Sequence, residues 1–458
     1  MRVAVIGAGL AGLSAALMAH QAGHRVTVFT HGIGSLPVSA GTIDVLGYLG
    51  DSPVSGDPLA AFSQLESSHP YHAIGASAVA RGISWYREQT QLFEEPRETN
   101  VWLPTALGAA QPTYAPPHSA RNAILKDDVK FLVVGLKQYK DFPAPLLAAN
   151  LERCEQFRVS ARAITCDLPV RDAPEISAVH YAQGFDAAQA AAHGEKWLSR
   201  LAQQINAAAQ SGEIALIPAI MGLLPATFAA FEKLVDIPVA EVGTAPPSVW
   251  GLRAYKALEA ACVEARIDVR LNASVKPGHI EDGRIASLQV RRAGGFDWID
   301  VDAVIDAAGG IASGNLKRDS RLNLRERLFE LPLYCHSSVS ATDSGLHRID
   351  SVNQQILDEL LSYGVRVNSA MQPLDAAGEP AYVNLYCAGE ILGGMPWREM
   401  SGEGMALGSA WAAVAALRAA GEADPAPRAN SSNAAAPTQN PTSTARQQPQ
   451  PRGGTSEQ

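Results

Sequence analysis

Six residues near the start of the chain carry its clearest chemical signal: Gly7-Ala8-Gly9-Leu10-Ala11-Gly12, placed directly after the apolar run Val3-Ala4-Val5-Ile6. Glycines at this spacing form a turn that receives an anion at the start of a helix. The first permits the tight turn, the second lets backbone N–H groups approach a phosphate or diphosphate, and the third lets helix and strand pack closely. The positive helix end holds the anion. Gly7, Gly9, Leu10, Ala11 and Gly12 are therefore the first candidate cofactor residues.

The chemistry requires a strand before the turn, a helix after it and a second strand beside the first. Residues 2–6 read as a short buried strand, the Ala-rich run from Leu10 as a helix, and 24–29 (HRVTVF) as the second strand of a βαβ unit. Sites that hold an adenosine ribose place Asp or Glu at the end of that second strand, about 20 residues after the glycines. Here Phe29-Thr30-His31 stand in its place, and the first acidic residue of the chain is Asp44. An anion site without the usual ribose anchor predicts FMN, with FAD as the alternative, and Thr30 as a contact at the strand end. Small residues after the second strand, Ser39, Gly41 and Thr42, are expected either to lie beside a flavin or to form a plain tight turn.

Later segments repeat the strand-to-glycine theme. A helix through residue 264, a strand at 268–271, a meander turning at 281–284 and a strand at 285–290 precede Val301-Asp302-Ala303-Val304-Ile305-Asp306-Ala307-Ala308-Gly309-Gly310, a buried strand ending in small residues that include Gly309. Residues 382–388 (YVNLYCA) form another strand, followed by Gly389-Glu390, a Gly-rich loop to Gly404 and a helix over 405–420. Glu390 has the spacing to face ribityl or phosphate-proximal hydroxyls, or it is an exposed turn residue. Gly402-Glu403-Gly404 is either a backbone approach to the flavin or a plain helix start. The predicted class is α/β: a Rossmann-like FAD/NAD(P)-binding flavoprotein fold with an inserted α+β substrate or cap domain and a disordered C-terminal tail. The boundaries expected are 1–100 and 246–420 for the two parts of the flavin-binding domain, with further cap elements at 315–380. The insertion is expected at 101–245, where 130–136 and 214–217 read as strands and 143–153 as a helix, and the tail at 421–458.

Composition narrows the function. The 458 residues carry a formal net charge of −9, with no long basic run, which argues against nucleic acid. No stretch has the roughly 18 uncharged apolar residues of a membrane span, so a cytoplasmic location is expected. The five cysteines, at 154, 166, 262, 335 and 387, form no CxxC pair, so no metal or iron–sulfur site is expected. Beyond Leu417 no aliphatic Val, Ile, Leu or Met and no aromatic residue follows, which is the composition of a segment unable to offset its ordering entropy.

The chain resembles the B subunit of anaerobic glycerol-3-phosphate dehydrogenase. The likeness lies in Gly7 to Gly12, Ser39-Ala40-Gly41-Thr42-Ile43-Asp44-Val45-Leu46, His69-Pro70-Tyr71, Pro246-Pro247-Ser248-Val249-Trp250-Gly251-Leu252-Arg253 and Glu390-Ile391-Leu392-Gly393-Gly394, spread over most of residues 1–420. The resemblance implies a cytoplasmic, FMN-type flavoprotein at the inner face of the membrane. It would pair with an FAD-bearing A subunit and an iron–sulfur, membrane-anchoring C subunit, oxidising sn-glycerol 3-phosphate to dihydroxyacetone phosphate with quinone as acceptor. A non-catalytic scaffold or electron relay in the same complex, and a fumarate-reductase-like flavoprotein, are the alternatives. The polar tail and His31 depart from the family pattern. Such an oxidation needs a base for the hydroxyl proton, a flavin to take the hydride and cations for the phosphate. Arg253 is either an anion clamp or an ion pair at the domain junction. Arg398 is a second anion candidate, and His69 and His336 are the available bases, each also readable as a structural histidine. The sequence names no catalytic acid or base.

Overall fold

The computed structural model describes residues 1–190, 195–292, 294–320, 323–335 and 360–423. His336 and residues 424–458 lie outside them.

The chain opens with β1 (Arg2–Ile6), α1 (Leu10–Gln21) and β2 (Arg25–Phe29). α2 (Pro70–Ile74) and α3 (Ala76–Thr90) follow, before the chain leaves to build a second sheet. That sheet contains β3 (Val129–Leu136), β4 (Val159–Cys166), β5 (Glu213–Pro218) and β6 (Val239–Val242), all parallel, in the order β6-β5-β3-β4. The helix α4 (Val249–Glu264) returns the chain to the first sheet. There β7 (Asp268–Arg270) pairs with β2, and an antiparallel meander of β8 (Ser274–Pro277), β9 (Ser287–Arg292) and β10 (Gly295–Asp300) follows. β11 (Ala303–Asp306) then pairs with β1, and β12 (Leu385–Cys387) with β11. The first sheet thus runs β7-β2-β1-β11-β12, all parallel.

Two hydrophobic cores result. One wraps the first sheet with α1, α3 and the last helix, α5 (Gly402–Ala423). The other fills the second sheet and ends at Val249 and Trp250, in the first turn of α4. Parallel strands covered on both faces should read as continuous apolar runs; β3 (VKFLVVGL) does, with every residue but Lys130 buried. α3 and α5 approach closely because glycine removes the side chain at their contact. A Cβ at Gly82 would overlap the Leu407 carbonyl, and one at Gly408 would lie 2.6 Å from Val79 Cγ2. α5 begins at Gly402, three residues before the start predicted from sequence. It runs to Ala423, so residues 421–423 belong to the helix rather than to the tail. No helix among the described residues is long and apolar enough to cross a membrane.

Candidate functional site

The parallel arrangement brings the strand ends of β1, β11 and β12 side by side, with Ile6 opposite Asp306 and Asp306 opposite Cys387. The glycine turn after β1 therefore lies against the loop after β11. Gly7 has φ +107°, and a Cβ there would overlap the Ala307 carbonyl oxygen; a Cβ at Gly12 would overlap the Gly7 carbonyl oxygen. Those two glycines are required by the protein's own packing. Gly9 is different, since a Cβ there would meet nothing within 4 Å. Gly9 is the N-cap of α1, with no side-chain cap bond and no acidic residue in the first turn. The first N–H groups of α1, from Leu10 and Ala11, thus lack the capping carboxylate or hydroxyl that usually serves them. An open face over uncapped helix N–H groups fits a phosphate or diphosphate.

The corner at Glu390 closes on the same place. Gly389 has φ +80°, and a Cβ on it would lie 2.8 Å from the Ala11 side chain. The Gly389 N–H donates to the Ser409 hydroxyl at 2.8 Å. The Glu390 carboxylate accepts the Gly310 N–H, and burial pushes its pKa up. Cβ atoms at Gly309 and Gly310 would come within 3.4 Å of Glu390 atoms, which accounts for small residues in that loop. The structure brings Gly7, Gly9, Leu10, Ala11, Gly12, Gly309 and Glu390 together.

It does not bring every candidate there as an open contact. The Thr30 hydroxyl is spent locally, donating to the Gly32 carbonyl at 2.6 Å, and Thr30 is buried. The loop after it folds onto the glycine turn, with Gly34 at φ +72° and a Cβ there 2.7 Å from Gly9 N. The Ser39 hydroxyl donates to the Leu36 carbonyl at 2.9 Å, and a Cβ at Gly41 would overlap the Trp250 side chain, with Gly251 N 3.0 Å away. The Ser39 bond closes a turn within the loop, and Gly41 packs the loop against α4. The Thr42 hydroxyl donates to Asp44 Oδ2 at 3.1 Å. Gly404 sits in the first turn of α5, donating its N–H to the Asp44 carbonyl at 2.9 Å; a Cβ there would lie 2.6 Å from the Tyr71 hydroxyl oxygen.

Two catalytic candidates are corrected. Arg253 is 6% exposed, and its guanidinium is bidentate to Glu241, Nη1 to Oε2 at 2.6 Å and Nη2 to Oε1 at 2.9 Å. Its remaining N–H groups go to the Gly222 and Met221 carbonyls and the Ser119 hydroxyl. All five guanidinium N–H groups are engaged, so Arg253 is the junction ion pair and leaves no donor for a substrate anion. Glu241 also accepts from Trp250 Nε1 and the Met221 N–H, and the partner guanidinium holds its carboxyl below the usual range against strong burial. His69 is 4% exposed and is the N-cap of α2: its Nδ1 accepts the Tyr71 N–H at 3.1 Å, and Nε2 lies 3.0 Å from Glu399 Oε2. A ring accepting at Nδ1 carries its proton on Nε2 and donates it to Glu399, so neither nitrogen is left to serve as base. Arg398 stands on the loop before α5, with Nη1 3.5 Å from Asp51 Oδ1, both side chains well exposed. Such an exposed pair contributes at most about 1 kcal/mol.

Three acids escaped the sequence reading. Asp306 is fully buried; its Oδ1 accepts the Ala308 N–H at 3.0 Å, while Oδ2 has no partner among the described residues. Burial, then the nearby Glu326 carboxylate, push its pKa up to about 8. Asp44 and Glu403 face each other across the start of α5, and burial raises both, Glu403 further through the charge of Asp44. The available signals were an acid inside an otherwise apolar strand (AVID) and an acid between two glycines (GEG).

Residues 2–405 match the family described as FAD binding domain, and the chain belongs to that family. Over 90% of its length it is 29% identical to a protein of Halobacterium salinarum named as the probable B subunit of an anaerobic glycerol-3-phosphate dehydrogenase, covering 96% of that relative. It is 26% identical to the B subunit of the anaerobic glycerol-3-phosphate dehydrogenase of Vibrio cholerae, covering 90% of this chain and 95% of the relative. Among solved structures, 3-ketosteroid delta1-dehydrogenase from Sterolibacterium denitrificans aligns over 91% of this chain and 99% of its own, with 12% identity and a TM-score of 0.43. The resemblance drawn from the motifs therefore stands. The preference for FMN over FAD finds no support in the family match, and the physical reason is one of magnitude. One missing ribose hydrogen bond is worth only about 1 kcal/mol, too little to turn a dinucleotide site into a mononucleotide site.

Proposed function

We propose that the chain is the flavin-binding subunit of a quinone-linked glycerol-3-phosphate dehydrogenase and that its cofactor is FAD. The observation that carries the flavin part is the open face of Gly9 over the uncapped start of α1, abutting the Gly309–Glu390 corner. The substrate part is supported by the similarity to the Halobacterium and Vibrio relatives across nine-tenths of the chain.

In this reading the N–H groups of Leu10 and Ala11 hold the diphosphate and Glu390 accepts hydroxyls of the ribityl side. A bound flavin supplies the two-electron acceptor. The loop from Ser39 to Thr42, pinned to α4, walls the cleft and excludes water. Arg398, on the loop before α5, is the cation assigned to the phosphate of sn-glycerol 3-phosphate, and dihydroxyacetone phosphate is the product. Electrons then pass to membrane quinone through an FAD-bearing A subunit and an iron–sulfur C subunit, which would hold this chain at the inner face of the membrane.

A second reading, a non-catalytic electron relay in the same complex, gains weight from Arg253 and His69 both being spent on structure. Purifying the full chain and measuring its absorbance, released cofactor mass and bleaching by glycerol 3-phosphate separates the two. FAD released from a chain that glycerol 3-phosphate bleaches supports the first. Bound FAD without bleaching supports the relay, and a colourless chain that takes up no flavin refutes both.

A further inference from the structure

The start of α5 gathers polar groups that the fold itself leaves unsatisfied. Ser401 is 1% exposed and Asp44 is 6% exposed, and neither Ser401 Oγ nor Asp44 Oδ1 has a hydrogen-bond partner among the described residues. Buried polar atoms are nearly always paired, so two orphans at one place point to a group that the fold alone does not supply. They are at one place because the Tyr71 hydroxyl bridges the two segments, donating to the Val45 carbonyl at 2.6 Å with the Ser401 carbonyl 3.0 Å away, and because the Gly404 N–H donates to the Asp44 carbonyl. Between them Gly402 is exposed, with nothing within 4 Å of a Cβ built on it. The helix start is thus open to solvent at Gly402, and Glu403, the next residue, is only partly buried.

Glu403 and Asp44 are held as a pair. The Glu403 carboxylate accepts the Asp44 N–H, and the Thr42 hydroxyl donates to Asp44 Oδ2. The remaining titratable groups facing them are the Tyr71 and Tyr86 phenols, both raised by burial, with the His69–Glu399 pair beyond Tyr71. Among the described residues, none of the groups acting on the two carboxylates is a cation. Two carboxyls in one partly dry site without a cation cannot both ionise at neutral pH, so the pair keeps one proton and one vacancy.

We propose that Glu403 is the base that takes the hydroxyl proton of the alcohol substrate, with Asp44 behind it as the positioning residue that sets its proton affinity. The inference rests on the alcohol-oxidising reading above and assigns the base that the sequence did not name. In the step, the O–H bond of the carbinol breaks and its proton goes to a Glu403 oxygen. The C–H bond breaks with its electron pair leaving as hydride to the flavin, and the C=O bond forms. The alcohol is oxidised by two electrons and the flavin reduced by two.

The test uses the full chain loaded with FAD, as wild type, Glu403→Gln and Asp44→Asn. Flavin content by absorbance reports that each variant still folds and binds. Rapid-mixing reduction by glycerol 3-phosphate should fall at least about 100-fold in Glu403→Gln, the usual scale for losing a general base. Asp44→Asn should retain more activity, but its pH–rate profile should shift toward acid, because the like charge that raised Glu403 is gone. Independently of turnover, infrared titration should show a protonated carboxyl that disappears as pH rises through neutrality in the wild type, is absent from Glu403→Gln, and titrates at lower pH in Asp44→Asn. Glu403→Gln reduced within a few-fold of wild type overturns the inference, as does an infrared band that is unchanged in both variants. A wild type that shows the infrared titration but is not bleached by glycerol 3-phosphate instead overturns the substrate reading, and the base assignment with it.

Discussion

Replacing Asp306 by Asn should make the protein more stable as pH rises, opposite to the usual cost of removing a buried hydrogen-bonding carboxylate. Oδ1 keeps its bond from the Ala308 N–H in either residue, and Oδ2 has no partner to lose among the described residues. The carboxyl titrates at about 8 in the fold against an ordinary 3.8. A group whose folded pKa is raised contributes stability that is fully present below the unfolded value and is lost as pH climbs through the folded one. The wild type should therefore lose stability between about pH 4 and pH 8 through this residue, then level off. Roughly four pKa units at about 1.36 kcal/mol each set a ceiling near 6 kcal/mol, and relaxation around a buried charge brings the expected loss to a few kcal/mol. Asn does not ionise, so the stability gap between variant and wild type should open in the variant's favour across that window. Urea denaturation of both proteins at a series of pH values measures it, and the subtraction removes the other titrating groups, which both share. Stability–pH curves that run parallel would refute the claim that a buried, cation-free Asp306 keeps its proton.

The remaining expectations concern which residues the fold needs and which only a ligand needs. Gly9→Ala, at φ −79° with open space around its Cβ, should alter stability by no more than about 1 kcal/mol yet lower FAD occupancy at least tenfold, whereas Gly12→Ala should cost about 1–3 kcal/mol by overlapping the Gly7 carbonyl; denaturation and flavin titration on the same samples separate them. Glu241→Gln, leaving Arg253 buried beside a neutral partner, should destabilise by about 3–5 kcal/mol with unchanged FAD affinity, and a tenfold loss of affinity at unchanged stability would restore Arg253 as an anion clamp. His69→Ala should cost about 1–2 kcal/mol through the lost cap of α2 while glycerol 3-phosphate still bleaches the flavin within a few-fold of the wild-type rate.

What could be read from the residue order divides along physical lines. The glycine turn, the two halves of the first sheet and the corner at Glu390 were visible because each couples a short apolar run to a backbone constraint that only glycine meets. Of the second sheet, 130–136 and 214–217 were visible, but β4, on an edge, is only partly buried or exposed up to Cys166, and β6 is four residues long. Missing β6 also hid Glu241, so Arg253 could not be given its partner and stayed open between two roles. The start of α5 was set late because Gly402 and Gly404 argue against a helix on propensity. Packing overrides that preference, since at 404 any side chain would strike Tyr71 and Val45. His69 could be placed at a turn, but the direction in which its ring nitrogens bond follows from α2 and Glu399 together, which are 330 positions apart in the sequence for the latter contact.

Two acids bear on whether an anion could sit at the start of α1: Asp306, which the residue order did not single out, and Glu390, which it did. Asp306 ends β11 opposite Ile6, Glu390 stands in the turn after β12 against Gly309 and Gly310, and burial raises the pKa of both. If ionised, each would repel a nearby anion by on the order of 1 kcal/mol or more at an effective dielectric of about 20. A single helix terminus returns only about 0.3–1 kcal/mol, so two charged carboxylates would outweigh it. Burial thus does more than cost solvation at this corner. It favours the neutral form of both carboxyls, which weakens any repulsion they would exert on an anion at the start of α1.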